Sequence, residues 1–383
     1  MLQLSEQQQF QNNIAPKISE RKEWKARKPT SLSSELSRPK KTREEEPSST
    51  RKSSCAVLFF GLPRSFESIV LPSIRQNVLI PNRDNHCDFF MHYYNVSSEA
   101  KSRIVNGGGN IDTSRVPTLL TEAVHQVDPE AHVSMISDTD ESFWKARKEQ
   151  LDKYRTVKAA DGKYLYYPWM AKTFTYPTSI DNIVKQWHSI DAVWNLMEKF
   201  SASYHQQHYY ERVAMLRNDA VYMTPFDIYR INNTLVDREN QYVSIPNWAR
   251  YPVNDRMIYG NRKAVKIWAT RRFELLEDHV RTYNEPGYGM HSERFLEHSI
   301  FPAIRNETGI PVVNNPDICF LRARADGAIW ANDCASRAGA ATGFRVANVR
   351  LLLEQLLGRP CVASKKGRVL EARCDGEPTT SKP

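Results

Sequence analysis

The sequence predicts an α/β fold in which a mostly parallel sheet is flanked by helices, and three observations carry that prediction. Cys55-Ala-Val-Leu-Phe-Phe60 is an unbroken apolar run rich in β-formers, closed by Gly61 and Pro63. Such a run suits a strand buried on both faces of a parallel sheet. Residues 66–78 then place Ile69, Val70, Ile74 and Val78 on one side of a helix. Asp88-Phe-Phe-Met-His-Tyr-Tyr94 reads as a second strand. The folded region therefore opens as strand, helix, strand, the start of a βαβ unit.

The later elements follow from the same periodicities. Helices are expected near 118–126 and 141–155, with a short strand near 131–137 between them. The longest helix is expected over 178–204, where Ile183, Trp187, Ile190, Trp194 and Met197 recur every three or four residues. Strands are expected at 211–217, 220–223, 241–245, 257–259, 311–313 and 318–322, and helices at 263–280, 291–304 and 345–357. Residues 100–115, with Gly107-Gly-Gly109, read as a surface loop. Three parts result: a disordered basic tail or stem over 1–54, one folded domain over 55–358, and a flexible tail over 359–383.

Charge narrows the function classes. The formal charge is +9, but residues 1–54 alone hold twelve Lys/Arg against seven Glu. The remaining surplus of four over 329 residues is too thin for a phosphate-backbone face, so nucleic acid is not an expected partner. It does suit substrates that carry phosphates. The six cysteines form no C-x-x-C pair and no zinc spacing. They read chiefly as buried free thiols, with Cys334 and the pair Cys361/Cys374 first to bridge in an oxidising compartment. No stretch reaches the roughly 20 apolar residues of a membrane span. An endomembrane location would require an anchor missing from this sequence; otherwise the cytoplasm is expected.

Four segments carry candidate chemistry. Gly61-Leu-Pro-Arg64-Ser65 sits at the carboxyl end of the first strand, where open α/β sheets bind ligands. Glycine permits close backbone approach, the following helix offers free N–H groups, and Arg64 brings a planar fork for phosphate oxygens. The plain alternative is a βα turn with a surface arginine. Leu216-Arg217-Asn-Asp219 ends a second buried strand in a carboxylate that would hold a divalent cation, or would merely pair with Arg217. Asn254-Asp255-Arg256 precedes a strand, and Asp255 would orient or deprotonate an acceptor hydroxyl, or cap a turn. His291 and Glu293 open a helix, as a metal or acid/base pair, or else Ser292 and Glu293 merely cap it. The aromatic stretch 164–170 with Lys172 would line an acceptor groove or join the core.

Three of these blocks, in their order and spacing, resemble uncharacterised glycosyltransferase-like proteins of the GT-A type from algae, plants and microbes. They are Gly61-Leu-Pro-Arg-Ser-Phe66 with Cys87-Asp-Phe-Phe-Met-His-Tyr93, Met215-Leu-Arg-Asn-Asp-Ala-Val-Tyr222, and Asn254-Asp-Arg-Met-Ile-Tyr-Gly260. The resemblance covers roughly 55–325. It implies a GT-A, Rossmann-like mixed and mostly parallel sheet that binds a nucleotide-sugar donor and transfers the sugar to a glycan or protein acceptor. Gly61 and Arg64 would then lie near the diphosphate, and His92 and Tyr93 near the base. Asp219 would stand for the second carboxylate of a D-x-D motif holding Mn²⁺ or Mg²⁺, with His291 as a further metal candidate. Arg217 occupies the place of the first carboxylate, so it would instead supply positive charge itself.

Two other classes fit parts of this pattern. A sulfotransferase also places a Gly-x-Pro-Arg-Ser turn after its first strand, but follows it with small residues where this chain has Phe66-Glu67. A non-catalytic sugar- or partner-binding domain on the same fold would need neither a base nor a cation.

Overall fold

The fold is described here from a computed structural model, over residues 54–99, 108–203, 210–231, 234–235, 242–249, 251–331, 348–366 and 369–374. The basic segment expected to be disordered lies outside these residues except for Ser54. The remainder is a mixed α/β structure with a mostly parallel central sheet flanked by helices.

The central sheet is seeded by β1 (Cys55–Gly61) and β2 (Asp88–Tyr94), which pair in parallel with Ala56 opposite Asp88. Alternation along β1 divides the core. Cys55, Val57 and Phe59 enter one hydrophobic cluster; Ala56, Leu58 and Phe60 enter the other, and all six are buried. That is the two-faced burial an unbroken apolar run predicts. Between them runs α1 (66–85), which packs on the first face. α2 (Val116–Val127) covers the same face and leads to β3 (Val133–Asp138), parallel to β2. α3 (Asp140–Thr156) begins with a Thr139/Ser142 capping box. α4 (Thr178–Ser203) lies across β1 and β2 on the second face, with Trp187, Ile190, Trp194 and Met197 buried.

Next, β4 (Arg212–Arg217) joins the free side of β1, in parallel, with Phe60 opposite Arg217. β5 (Ala220–Tyr222) leaves for a second sheet. β6 (Val243–Pro246) and β7 (Ile258–Asn261) return to the first; β7 runs antiparallel between β4 and β6. Helices α5 (Arg262–Thr270), α6 (272–283) and α7 (292–308) close the second face, and β8 (Val312–Asn315) ends the sheet in the order β8-β6-β7-β4-β1-β2-β3.

The second sheet holds β5, β9 (Phe320–Ala323), β10 (Ile329–Trp330), and after α8 (Val349–Leu357), β11 (Val362–Lys366) and β12 (Val369–Arg373). The last two strands lie within 359–383, which the sequence reads as a flexible tail; residues 375–383 of that tail lie outside the described residues. A Lys/Arg-rich hairpin lacks the apolar period of a buried strand, yet β12 pairs with β10, and Ala372 and Cys374 are buried. Cys361 bonds Cys374, the pair expected to bridge, whereas Cys55 bonds Cys87 and Cys319 also lies in a disulfide, where the sequence reads chiefly as free thiols. Cys55 and Cys87 are 32 residues apart, but adjacent parallel strands start side by side and bring their Cα atoms to 4.6 Å.

Candidate active site

The chain crosses from β1 to β2 on one side, while β4 lies on the other side of β1. A doubly wound sheet opens a crevice at such a switch point, outside the carboxyl ends of its strands. The turns predicted to carry chemistry, 61–64 and 217–219, leave β1 and β4 there as neighbours. Gly61 has φ +111°, and a β-carbon on it would meet Asn218 Oδ1 at 3.2 Å. Asn218 donates from Nδ2 to the Gly61 carbonyl (3.0 Å) and from its amide to Phe60 O (3.0 Å), stitching the two turns together.

Above them sits a compact charge cluster. Asp219 is 1% exposed and accepts from Arg217 Nε and Nη2, both at 2.7 Å, and from Arg64 Nη1. Arg64 also donates to Glu99, from Nε at 2.6 Å and from Nη2. Ser65 Oγ donates to the Arg324 carbonyl (2.7 Å). The Arg324 side chain is largely buried, and its Nε has no hydrogen-bond partner among the described residues. Burial works to raise the Asp219 carboxyl, but the charge and hydrogen bonds of Arg217, with the charges of Arg64 and Arg324, hold it well below the ordinary carboxylate range. Burial, together with the Arg322 and Arg64 charges, brings Arg324 down to about 10. Antiparallel pairing of β5 with β9 sets Arg322 opposite Ala220, which brings the 322–324 segment beside Asp219.

A second group adjoins it. Asp255, His291 and Glu293 interact electrostatically, and His291 Nδ1 lies 3.3 Å from Glu293 Oε2. Burial first, and the Asp255 charge second, push the Glu293 carboxyl up to about 8, with Arg256 and Arg322 pulling the other way. Arg322 acts on both Glu293 and Arg324, so one arginine links the groups. Burial also lowers His291. Phe174 stacks on the His291 ring at 5.3 Å, bringing the 157–177 connection to the site.

The predicted residues fall into four sets. Gly61, Arg64, Arg217 and Asp219 are gathered at the switch point, and Asp255, His291 and Glu293 form the adjoining group. Lys172 is exposed in the 157–177 connection. His92 and Tyr93 both lie in β2. His92 is 0% exposed with both ring nitrogens engaged, and Tyr93, on the other face of the strand, is nearly buried in the first cluster. Glu99, Arg322 and Arg324 were not legible, because nothing in their local sequence marks them; a loop bridge and a strand register bring them in.

Two places offer ligand atoms to a cation. Asp219 does not fit one: its oxygens take three N–H groups from two guanidiniums, and the surrounding charge is positive before any ion arrives. His92, Asp138 and His188 have ligand atoms within 4.8 Å of one another, the composition of a metal centre. Their hydrogen bonds use the same atoms differently. Arg147 Nε–H donates to His188 Nδ1 (2.9 Å), so neutral His188 must carry its proton on Nε2, which donates to Asp138 Oδ2 (2.7 Å). A metal at Nε2 would leave His188 without a proton on either nitrogen.

No protein-family model and no curated protein matches the sequence. Among solved structures, the chain is similar to a glycosyltransferase involved in glycosylation of the major capsid of PBCV-1, at 11% identity and TM-score 0.28, over 68% of this chain and 82% of that one. It is likewise similar to mouse xyloside xylosyltransferase 1 in its apo form, at 11% identity and TM-score 0.30, over 68% and 83%. Likeness of that degree carries no argument about chemistry, which must come from the site.

Proposed function

We propose that the protein is a glycosyltransferase that binds a nucleotide-sugar donor at the switch point and neutralises its diphosphate with arginines rather than a metal ion. The observation that carries this reading is Asp219, held by Arg64 and Arg217 at the ends of adjacent parallel strands, with Arg324 beside it. Glu99 and Asp219 fix the guanidinium planes in advance of the ligand, the preorganisation that makes charge stabilisation effective.

Glu293 is the base in this reading and Asp255 orients the acceptor. An acceptor hydroxyl oxygen attacks the anomeric carbon, and its proton passes to Glu293. The bond from that carbon to the diphosphate oxygen breaks, and the electron pair leaves on the diphosphate, against Arg64, Arg217 and Arg324. Glu293 takes that proton in its ionised form, which becomes the major one only above about pH 8, so transfer should rise as pH climbs toward 8. The acceptor, glycan or protein, would enter along the 157–177 connection with Lys172.

A sulfate donor would use the same arginines, so the deciding experiment compares donors. Thermal shift is measured with UDP-, GDP- and CMP-sugars, with and without Mn²⁺, and with an adenosine phosphosulfate. Stabilisation by one nucleotide sugar, unchanged by Mn²⁺ or EDTA, is expected. Stabilisation by the sulfate donor alone, or strict Mn²⁺ dependence, overturns the proposal.

A further inference from the structure

The His92–Asp138–His188 group also carries an ordered chain of hydrogen bonds. Asp138 is a carboxylate and accepts only; the hydrogen bond from His92, with those from Ser142 and His188, keeps it well below the ordinary range. His92 Nε2, at 3.0 Å from Asp138 Oδ2, therefore carries a proton. In the Nε2–H tautomer the Nδ1 of His92 has a lone pair, which accepts from Ser189 Oγ–H at 2.6 Å. With its proton committed, Ser189 Oγ accepts the Gly61 N–H at 2.8 Å. At the far end, Arg147 Nε–H fixes the His188 tautomer, and Arg147 Nη2 donates to Asp191 (2.9 Å). Every proton has one place, from Arg147 to the turn after β1. Ser189 and His92 are fully buried, so water does not compete for these bonds.

We infer that Ser189 and His92 are positioning residues for the donor turn: the relay from Arg147 sets the Ser189 hydroxyl so that it holds the Gly61 amide. Gly61 is thereby clamped from two sides, its N–H by Ser189 on α4 and its carbonyl by Asn218 at the end of β4. Arg64 lies three residues on, in a turn closed by Arg64 N–H to the Leu62 carbonyl (2.9 Å). Its guanidinium position thus inherits the position of Gly61. The functional part of this inference rests on the reading of 61–64 as the anion-binding turn; the geometric part does not.

The test separates the two. Nitrogen-15 NMR of the wild-type full chain reads both tautomers with no ligand present. Protonation at Nε2 of His92 and of His188 is expected, and an Nδ1–H tautomer at either overturns the relay. Ser189→Ala keeps the helix and should raise Gly61 amide exchange at least tenfold, with Asn218 and the β1 core amides unchanged. Its dissociation constant for UDP should rise about 5- to 20-fold, and KM for donor should rise with kcat nearly constant. A merely structural serine would leave Gly61 exchange and the KM/kcat split unmoved, which sinks the inference. Stabilisation of wild type by Zn²⁺ or Mn²⁺ that is lost in Asp138→Asn would make the group a metal centre and also overturn it. If wild type binds no nucleotide while the tautomers and Gly61 exchange come out as expected, the clamp stands and the transferase reading fails.

Discussion

At the scale of the residue, two carboxylates are tuned in opposite directions. Asp219 is buried yet held ionised by Arg217 and Arg64, whereas Glu293 is buried near another negative charge and held neutral up to about 8. The sign of the second matters for stability. A carboxyl whose folded value is raised costs nothing below its unfolded value near 4.5; as pH rises through 4.5 toward 8, the unfolded chain ionises first and stability is lost. Glu293→Gln removes that cost. At pH 8 the variant should be more stable than wild type by about 1–3 kcal/mol in urea unfolding, while transfer falls about 10²–10⁴-fold. A variant that loses stability at pH 8, or keeps its activity, removes Glu293 as the base. Arg64 donates to both Asp219 and Glu99. Arg64→Ala should weaken UDP binding by about 1.5–3 kcal/mol in calorimetry, the range for charge-assisted bonds; unchanged affinity would return the turn to a purely structural role.

At the scale of the element, β7 shows how one antiparallel strand sets the site. It runs between β4 and β6, and its close approach depends on Gly260, whose φ is +135°. A β-carbon there would lie 2.4 Å from the Tyr242 carbonyl oxygen and 2.9 Å from Val243 Cα, backbone that cannot step aside. Gly260→Ala should cost about 2–4 kcal/mol through strain and displaced pairing; a loss below 1 kcal/mol in denaturant melts would mean the strand tolerates a wider gap. β7 follows Asp255 directly, so such a shift should also disturb the Asp255–Glu293 group. Sequence reading located this strand through its apolar residues and Gly260. It did not reveal that the strand runs against its neighbours, because direction depends on where the preceding loop returns. The final hairpin was missed for a related reason: β11 and β12 are stabilised by pairing with a distant strand and by Cys361–Cys374, not by an apolar run of their own.

At the scale of the molecule, the buried histidines make stability depend on acid. Burial, aided by the His298 charge, lowers His279 to about 4, and burial also lowers His188 and His291. Each is neutral in the fold, so each adds no pH dependence above 6.5 and loses stability as pH falls from 6.5 toward its folded value. His279 alone accounts for up to about 3 kcal/mol of that loss. Glu293 acts oppositely over part of this window, so the cleanest measurement uses Glu293→Gln: its unfolding free energy should fall steadily from pH 7 to pH 4.5, and a flat profile would refute the account. The sequence by itself determined the αβ order, the two-faced burial of β1, the stripe of α4, and the positions of 61–64, 217–219, 255 and 291–293. Those follow from local periodicity and backbone chemistry, which the chain carries at short range. Only the tertiary structure decided which of these residues meet, that Asp219 belongs to arginines, that Glu99, Arg322 and Arg324 complete the cluster, and that His92 faces a buried relay. Such facts depend on strand order, register and burial, and on charges brought close by residues more than a hundred positions apart.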